Sequence, residues 1–266
     1  MVWRIVILLL LSPSLNAQIF NAAPLLAMGN TGIAQQSVFN ITNNPAGISG
    51  LERPHLGLAY QNHYLSTEIQ SQAAFAVLPF GNSHAVGISA NSYGLKDVSN
   101  LLTLRGAYAK RFGQSFSSSA AVNYHRFYVR NYHSDQTISL DLGFQYYWDK
   151  KLTFGTFARN VTSSMFQEDT QEYIPEEYAV GFSYQLSEQL QVSSDVYYDI
   201  REQFNFRGGF AYWFDPRLVI RGGAASHPTQ YFGGIGVLVQ KIQIDIASSF
   251  HPRLGTSPQL AVSYEF

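Results

Sequence analysis

From residue 54 onward the chain repeats one pattern: about ten residues of strict apolar–polar alternation, a turn, and the alternation again. In 178–186, Tyr178, Val180, Phe182, Tyr184 and Leu186 share one face, and Ala179, Gly181, Ser183 and Gln185 the other. The next segment sets Leu190, Val192, Val196 and Tyr198 against Gln191, Ser193, Asp195 and Asp199. Then Phe204, Phe206, Phe210, Tyr212 and Phe214 stand opposite Asn205, Arg207 and Gly209, and Ile138, Leu140, Leu142 and Phe144 opposite Asp141 and Gln145. A period of two sustained at this length specifies strands. About ten residues is what a tilted strand needs to cross a bilayer.

About fourteen such segments are expected, starting near His55, Glu68, His84, Leu101, Phe116, Gln136, Lys151, Glu176, Gln189, Gln203, Arg217, Gln230, Lys241 and Pro258. Every other connection is tight (PFGNS, FGQS, WDKK, SEQ, FDPR, QK). The alternate set reads as longer: SYGLKDVSN, RNYHSD and TSSMFQEDTQEYIP. Short turns on one side and longer loops on the other are the asymmetry of outer-membrane barrels, whose short side is periplasmic. The ten prolines fall in the leader, the early segment, connections or strand ends, where no ladder donor is lost. The predicted fold is therefore all-β, a transmembrane antiparallel β-barrel of 12–14 strands over residues 55–266, monomeric and bathed in outer-membrane lipid.

Composition supports this reading. Charged residues make up 13% of the chain and aromatics 15%, against about 25% charged in soluble proteins. The net charge of -1 offers no field for a nucleic acid. Cysteine is absent, so no disulfide framework or thiolate metal site is expected. Residues 1–17, with Arg4, a short apolar run Ile5–Leu11, Pro13 and Ala17, read as a signal peptide cleaved near Ala17. That places the mature protein in the outer membrane of a Gram-negative bacterium.

On the lipid-averse face the strands carry Arg105, Asp141, Arg159, Asp195, Arg207, Arg221, Asp245 and Glu265, balanced in sign. In lipid each Arg would cost about 2–4 kcal/mol at the midplane. Inside a lumen these groups can pair or hydrate, as a stiffening network or as a selectivity filter. Residues 18–54 lack the strand pattern and are predicted to fold into the lumen as a hatch. At the other end Leu260, Val262, Tyr264 and Phe266 keep one face apolar to the last residue. This resembles the C-terminal signal that the barrel-assembly machinery recognises.

Two further stretches carry a resemblance. LAMGNTGIA, followed by NNPAGISGL with Asn44, Pro45, Ala46 and Gly47, resembles the N-terminal signature shared by FadL-type fatty-acid transporters and the PorV/PorQ proteins of Bacteroidota. The closing IDIASSFHPRLGTSPQLAVSYEF and the mid-barrel FARNVT are similar to the PorV/PorQ group. The chain is shorter than the fatty-acid transporters and lacks their long outer loops. The resemblance implies an accessory component of type IX protein secretion, or a paralogue, binding translocon proteins or secreted cargo through loops near 93–100, 129–135 and 161–176. The alternative is a FadL-like passive channel for small hydrophobic molecules. A third reading is an outer-membrane lipid hydrolase.

Residues that could carry catalysis or metal binding are few. His63, His133, His227 and His251 fall near the outer rim and read as surface loop residues without metal-ligand spacing. His125 lies in a Ser-rich stretch with Ser117 and Ser119, without a readable Ser–His–acid arrangement. Glu168, Asp169, Glu176 and Glu177 read as solvated rim charges. GGIGVL at 233–238 falls in a strand pattern and opens no helix, so it is not a dinucleotide fingerprint. No enzyme activity, cofactor or metal is expected.

Overall fold

The computed structural model describes residues 20–167, 174–201 and 203–266. The signal peptide reading, with Glu168 and Asp169, lies outside them. Fourteen antiparallel strands close into a barrel in sequence order, with β1 pairing β14. They are β1 (His55–Asn62), β2 (Ile69–Phe80), β3 (His84–Leu95), β4 (Ser99–Phe112), β5 (Phe116–Val129), β6 (His133–Tyr147) and β7 (Leu152–Ala158). The second half holds β8 (Glu177–Gln185), β9 (Leu190–Asp199), β10 (Asn205–Asp215), β11 (Leu218–Ser226), β12 (Thr229–Val239), β13 (Ile242–His251) and β14 (Gly255–Glu265). The expected starts fall within three residues of these. GGIGVL lies inside β12, as its alternation required.

The alternation sorts the faces. Leu58, Ile88, Val122, Ile138, Val180, Phe206, Ile246 and Leu260 are exposed on the outside, where lipid takes the place of water. Their strand neighbours point inward and are buried or half-buried. Among the described residues no helix is long and apolar enough to cross a membrane. The strands alone make the span, and closure removes every unpaired edge.

One end of the barrel, here the turn end, carries six tight connections and both barrel termini. There the backbone NH of Phe266 donates to the Pro54 carbonyl at 3.1 Å. At the opposite, loop end, two of the three connections expected to be long are tips only, 96–98 and 130–132. β3 to β6 run on through the expected loops as hydrogen-bonded ladder, with Leu95 paired to Ser99 and Val129 to His133. The ladder thus continues where the residues read as loop, and the hairpins end in three-residue tips. The long connection is 159–176. Its described part folds inward: Phe166 and Ile174 are buried, and Phe166 packs 6.2 Å from the Phe127 ring.

Residues 20–54 fill the lumen. They form a short helix α1 (Ala23–Ala27) and two 3-10 helices, η1 (Val38–Thr42) and η2 (Pro45–Gly50). Pro24 and Pro45 sit in first turns, where no NH is lost. The main apolar core lies between this segment and the wall, with Phe39 edge-on to Phe75 at 5.2 Å and Ile41, Ile48, Val38 and Leu25 all buried. A barrel whose outside is in lipid thus builds its water-excluding core inside.

Candidate functional site

The hatch is seated by wall positions that have little or no side chain. At Gly209 and Gly223, neighbours across β10 and β11, a Cβ would collide with the backbone of Met28 and Gly29. Gly29 itself has φ +77°, a left-handed conformation that glycine adopts without strain. At Gly143 on β6 a Cβ would strike the Asn44 carboxamide. Beneath η2 the wall is Ala107, Ala109, Ser117, Ser119 and Ala121, all buried.

Asn44, Pro45, Ala46 and Gly47 form the start of η2. Asn44 caps it, its Oδ1 accepting from Ala46 NH at 3.1 Å. Its Nδ2 donates to the Ile33 carbonyl at 2.7 Å and to wall carbonyls of Phe144 and Thr156 at 3.1 and 3.4 Å. Ala46 offers its carbonyl to Ser117 Oγ at 3.3 Å. At Gly47 a side chain would run into the Gln35 carbonyl. The motif therefore ties two hatch turns and strands β5 to β7 together.

The charged residues do the same work. Asp195 on β9 is fully buried, and its Oδ2 accepts the backbone NH groups of Gly32 and Ile33 at 2.7 and 3.2 Å. Arg105 on β4 donates to Asp141 at 2.7 Å, to the Ile41 carbonyl at 2.7 Å and to Asn123. Asp141 also accepts from the Asn160 NH at 2.8 Å. Arg159, just past β7, pairs with Glu177 at 3.0 Å and donates to the Thr42 carbonyl at 3.2 Å. The Arg207 guanidinium lies over the Tyr197 ring at 3.7 Å, and Tyr197 donates to Asn43 at 3.0 Å. Arg221 and Asp245 pair on β11 and β13. Glu265 sits at the turn-end rim, half in solvent, against Arg53 at 2.8 Å and His55 at 3.5 Å. Of the C-terminal set, Leu260, Tyr264 and Phe266 are exposed on the outer face and Val262 is partly exposed.

Two sequence expectations need correction. Glu177 is not a solvated rim charge but a buried partner of Arg159, because β8 starts there with Glu177 facing inward. His63 is not a surface loop residue. It is buried, bonded to Ser71 Oγ at 2.8 Å and edge-on to Tyr93 at 5.4 Å. Burial pushes its pKa down to about 4.

His125 meets a serine, but a different one from the pair read along its own strand. Its Nε2 lies 2.9 Å from Ser139 Oγ on β6, while Nδ1 faces Thr103 Oγ1 at 3.1 Å. Where a hydrolytic triad places a carboxylate, this imidazole meets a threonine. Ser117 and Ser119 are engaged with η2 and Gly143 instead. Among the described residues no cluster of three His, Cys, Asp or Glu could hold a metal.

Between the hatch and the described end of the 159–176 connection lies a chamber of about 70 Å³. Its wall is the loop-end half of β3 to β6. Phe20 and Thr42 close it from the hatch, and Ile174 and Pro175 from the connection. The sequence pattern gave no warning of it, because the chamber is made by cross-strand neighbours. What could be read was only that Asn91, Thr103, Asn123 and His125 share the inward face with Arg105.

No protein-family profile matches the chain, and no curated protein matches it. Solved structures do. The CymD monoaromatic hydrocarbon channel superposes with a TM-score of 0.70 at 14% identity, over 94% of this chain and 99% of that one. The toluene transporter TodX of Pseudomonas putida gives 0.69 at 13%, over 93% and 99%. A FadL homologue of Pseudomonas aeruginosa gives 0.68 at 11%, over 92% and 98%. At these identities the likeness is one of fold.

Proposed function

We propose that this chain is an outer-membrane channel through which small, largely apolar molecules pass down their gradient, with the hatch as its plug. The observation that carries this reading is the chamber at the loop end of a plugged lumen. Its lining includes the apolar Phe20, Leu101, Ile174 and Pro175, as a site for apolar cargo requires. The similarity in fold to channels named for monoaromatic hydrocarbons and toluene supports it. The turn end then faces the periplasm and the loop end the outside. The test is uptake of labelled toluene by Gram-negative cells expressing the full chain. Uptake above that of cells carrying an empty vector supports the channel. Equal uptake, with the barrel present in the outer membrane, overturns it.

A second reading keeps the PorV/PorQ resemblance: an accessory of type IX secretion that binds translocon proteins or secreted cargo at the loop end. It is favoured by the closing hairpin and the mid-barrel FARNVT, which resemble that group. Deletion in the native host would then strand secreted cargo in the periplasm, whereas loss of a channel leaves secretion intact.

A further inference from the structure

The chamber wall is layered. Cross-strand registry on β3 to β6 stacks three rows of inward side chains. The row nearest the hatch is Ser89, Arg105, Asn123 and Ser139; above it come Asn91, Thr103, His125 and Thr137; nearest the outside come Tyr93, Leu101, Phe127 and Asp135. Of these rows, the residues that line the chamber are Ser89, Arg105, Asn123 and Ser139 at the base, then Asn91, Thr103 and His125, then Leu101. Ile174 and Pro175 extend the apolar part.

The charge at the base is cancelled. Arg105 spends three donor atoms on Asp141, Asn123 and the Ile41 carbonyl, and Arg159 is paired with Glu177. Two guanidiniums meet two carboxylates, so no excess positive charge remains among these four groups to compensate a bound carboxylate. An anion here would be desolvated without a counter-charge. The next row does have an unmet requirement. Thr103, His125, Ser139 and Asn123 satisfy one another in a chain of 3.1, 2.9 and 3.1 Å contacts. Asn91 lines the chamber, and its Oδ1 is buried with no hydrogen-bond partner among the described residues. A buried orphan acceptor costs about 1–3 kcal/mol, which a ligand donor would recover once the partly exposed carboxamide turns its oxygen into the chamber.

Resting on the channel reading above, we infer that the chamber selects neutral molecules with one hydroxyl group and a small apolar body, over both bare hydrocarbons and carboxylates. The hydroxyl sits on Asn91, and can satisfy the carboxamide through either of its ends. The body points outward along Leu101, Ile174 and Pro175. A chamber of about 70 Å³ exceeds the roughly 10–15 Å³ that one water needs.

The test compares benzyl alcohol, toluene and benzoate, which share a ring, by equilibrium dialysis against the full chain in nanodiscs, with empty nanodiscs subtracted. Benzyl alcohol is expected to bind saturably and at least tenfold more tightly than either of the others. Asn91→Leu should weaken benzyl alcohol about tenfold and leave toluene unchanged or tighter. Thr103→Trp, which fills the chamber, should abolish saturable binding of all three. Heat-modifiable gel mobility confirms that each variant is a folded barrel. Toluene or benzoate binding as tightly as the alcohol overturns the inference, as does an Asn91→Leu effect within twofold. Cellular uptake separates the two claims: toluene and benzyl alcohol entering equally, both above control, keeps the channel and removes the selectivity. Tight alcohol binding without uptake of either does the reverse.

Discussion

Strands β3 to β6 pass through two environments along their length, and their inward side chains change accordingly. Toward the turn end they present Ala85, Gly87, Ala107, Ala109, Ser117, Ser119, Ala121 and Gly143, and the hatch packs directly on them. Toward the loop end the same strands present Arg105, Asn123, His125, Leu101 and Phe127, and the hatch has given way to a chamber. Small residues let one backbone approach another; large ones hold a space open and furnish it. One sheet thus makes a plug seat and a cavity wall, and the row of Arg105 is the boundary, since that residue reaches both the hatch carbonyl of Ile41 and the chamber.

The largest effect is expected at that boundary. Arg105→Met leaves the Asp141 carboxylate buried without its cation, a loss of about 3–5 kcal/mol, read as a lower urea midpoint of unfolding from lipid vesicles. Adding Asp141→Leu should restore much of it, because two well-packed apolar groups replace the pair. A double variant no better than the single would mean that the charges are not coupled. Next is the seat. Gly143→Val forces a side chain against Asn44 and should cost about 3 kcal/mol from overpacking and a displaced carboxamide. It should also raise ion conductance in planar bilayers as the plug loosens. An enlargement on the chamber side, Ser89→Leu, should leave conductance unchanged, and equal effects would erase the distinction between the two regions.

The third effect depends on pH. His63 lies in the connection 63–68 outside the strands, with its pKa lowered from 6.5 to about 4 by burial. Its folded form favours the neutral imidazole. This contribution is complete above the unfolded value and is lost as pH falls from 6.5 through 4, amounting to at most about 3 kcal/mol. His63→Gln should flatten that part of the pH profile of the urea midpoint; an unchanged slope would contradict it. Smallest is the rim: Arg53→Ala removes an exposed ion pair with Glu265 and should change stability by less than about 1 kcal/mol.

Much of the barrel was legible in the sequence, because a period of two is a local property and the lipid face enforces it at Leu140, Val180 and Phe206 alike. The hatch segment could be bounded by the end of that pattern, and the inward charges by their opposition to it. Three things were not legible. The first is the length of the β3–β4 and β5–β6 hairpins, where SYGLKDVSN and RNYHSD have the composition of loops yet Leu95 to Ser99 and Val129 to His133 continue the ladder. The roles of Asp195 and Gln145 depend on backbone groups of Gly32, Ile33 and Gln35, more than a hundred residues away. The chamber depends on cross-strand registry, which places Ser139 beside His125 although Ser117 and Ser119 are nearer in sequence.

The central claim is that the segment before β1 lies docked on the inner wall of the closed barrel. The chain contains no cysteine, so one introduced pair reports on it directly. A Cβ on Gly87 would lie 3.3 Å from Cγ1 of Ile41, about where the sulfur of a cysteine at 41 would reach for a disulfide. The double variant Ile41→Cys with Gly87→Cys, expressed in an oxidising periplasm and assembled into the outer membrane, should form that bond in most molecules and shift gel mobility reversibly with reductant. Two thiols that stay free and react with a maleimide in the folded barrel would contradict the docked hatch.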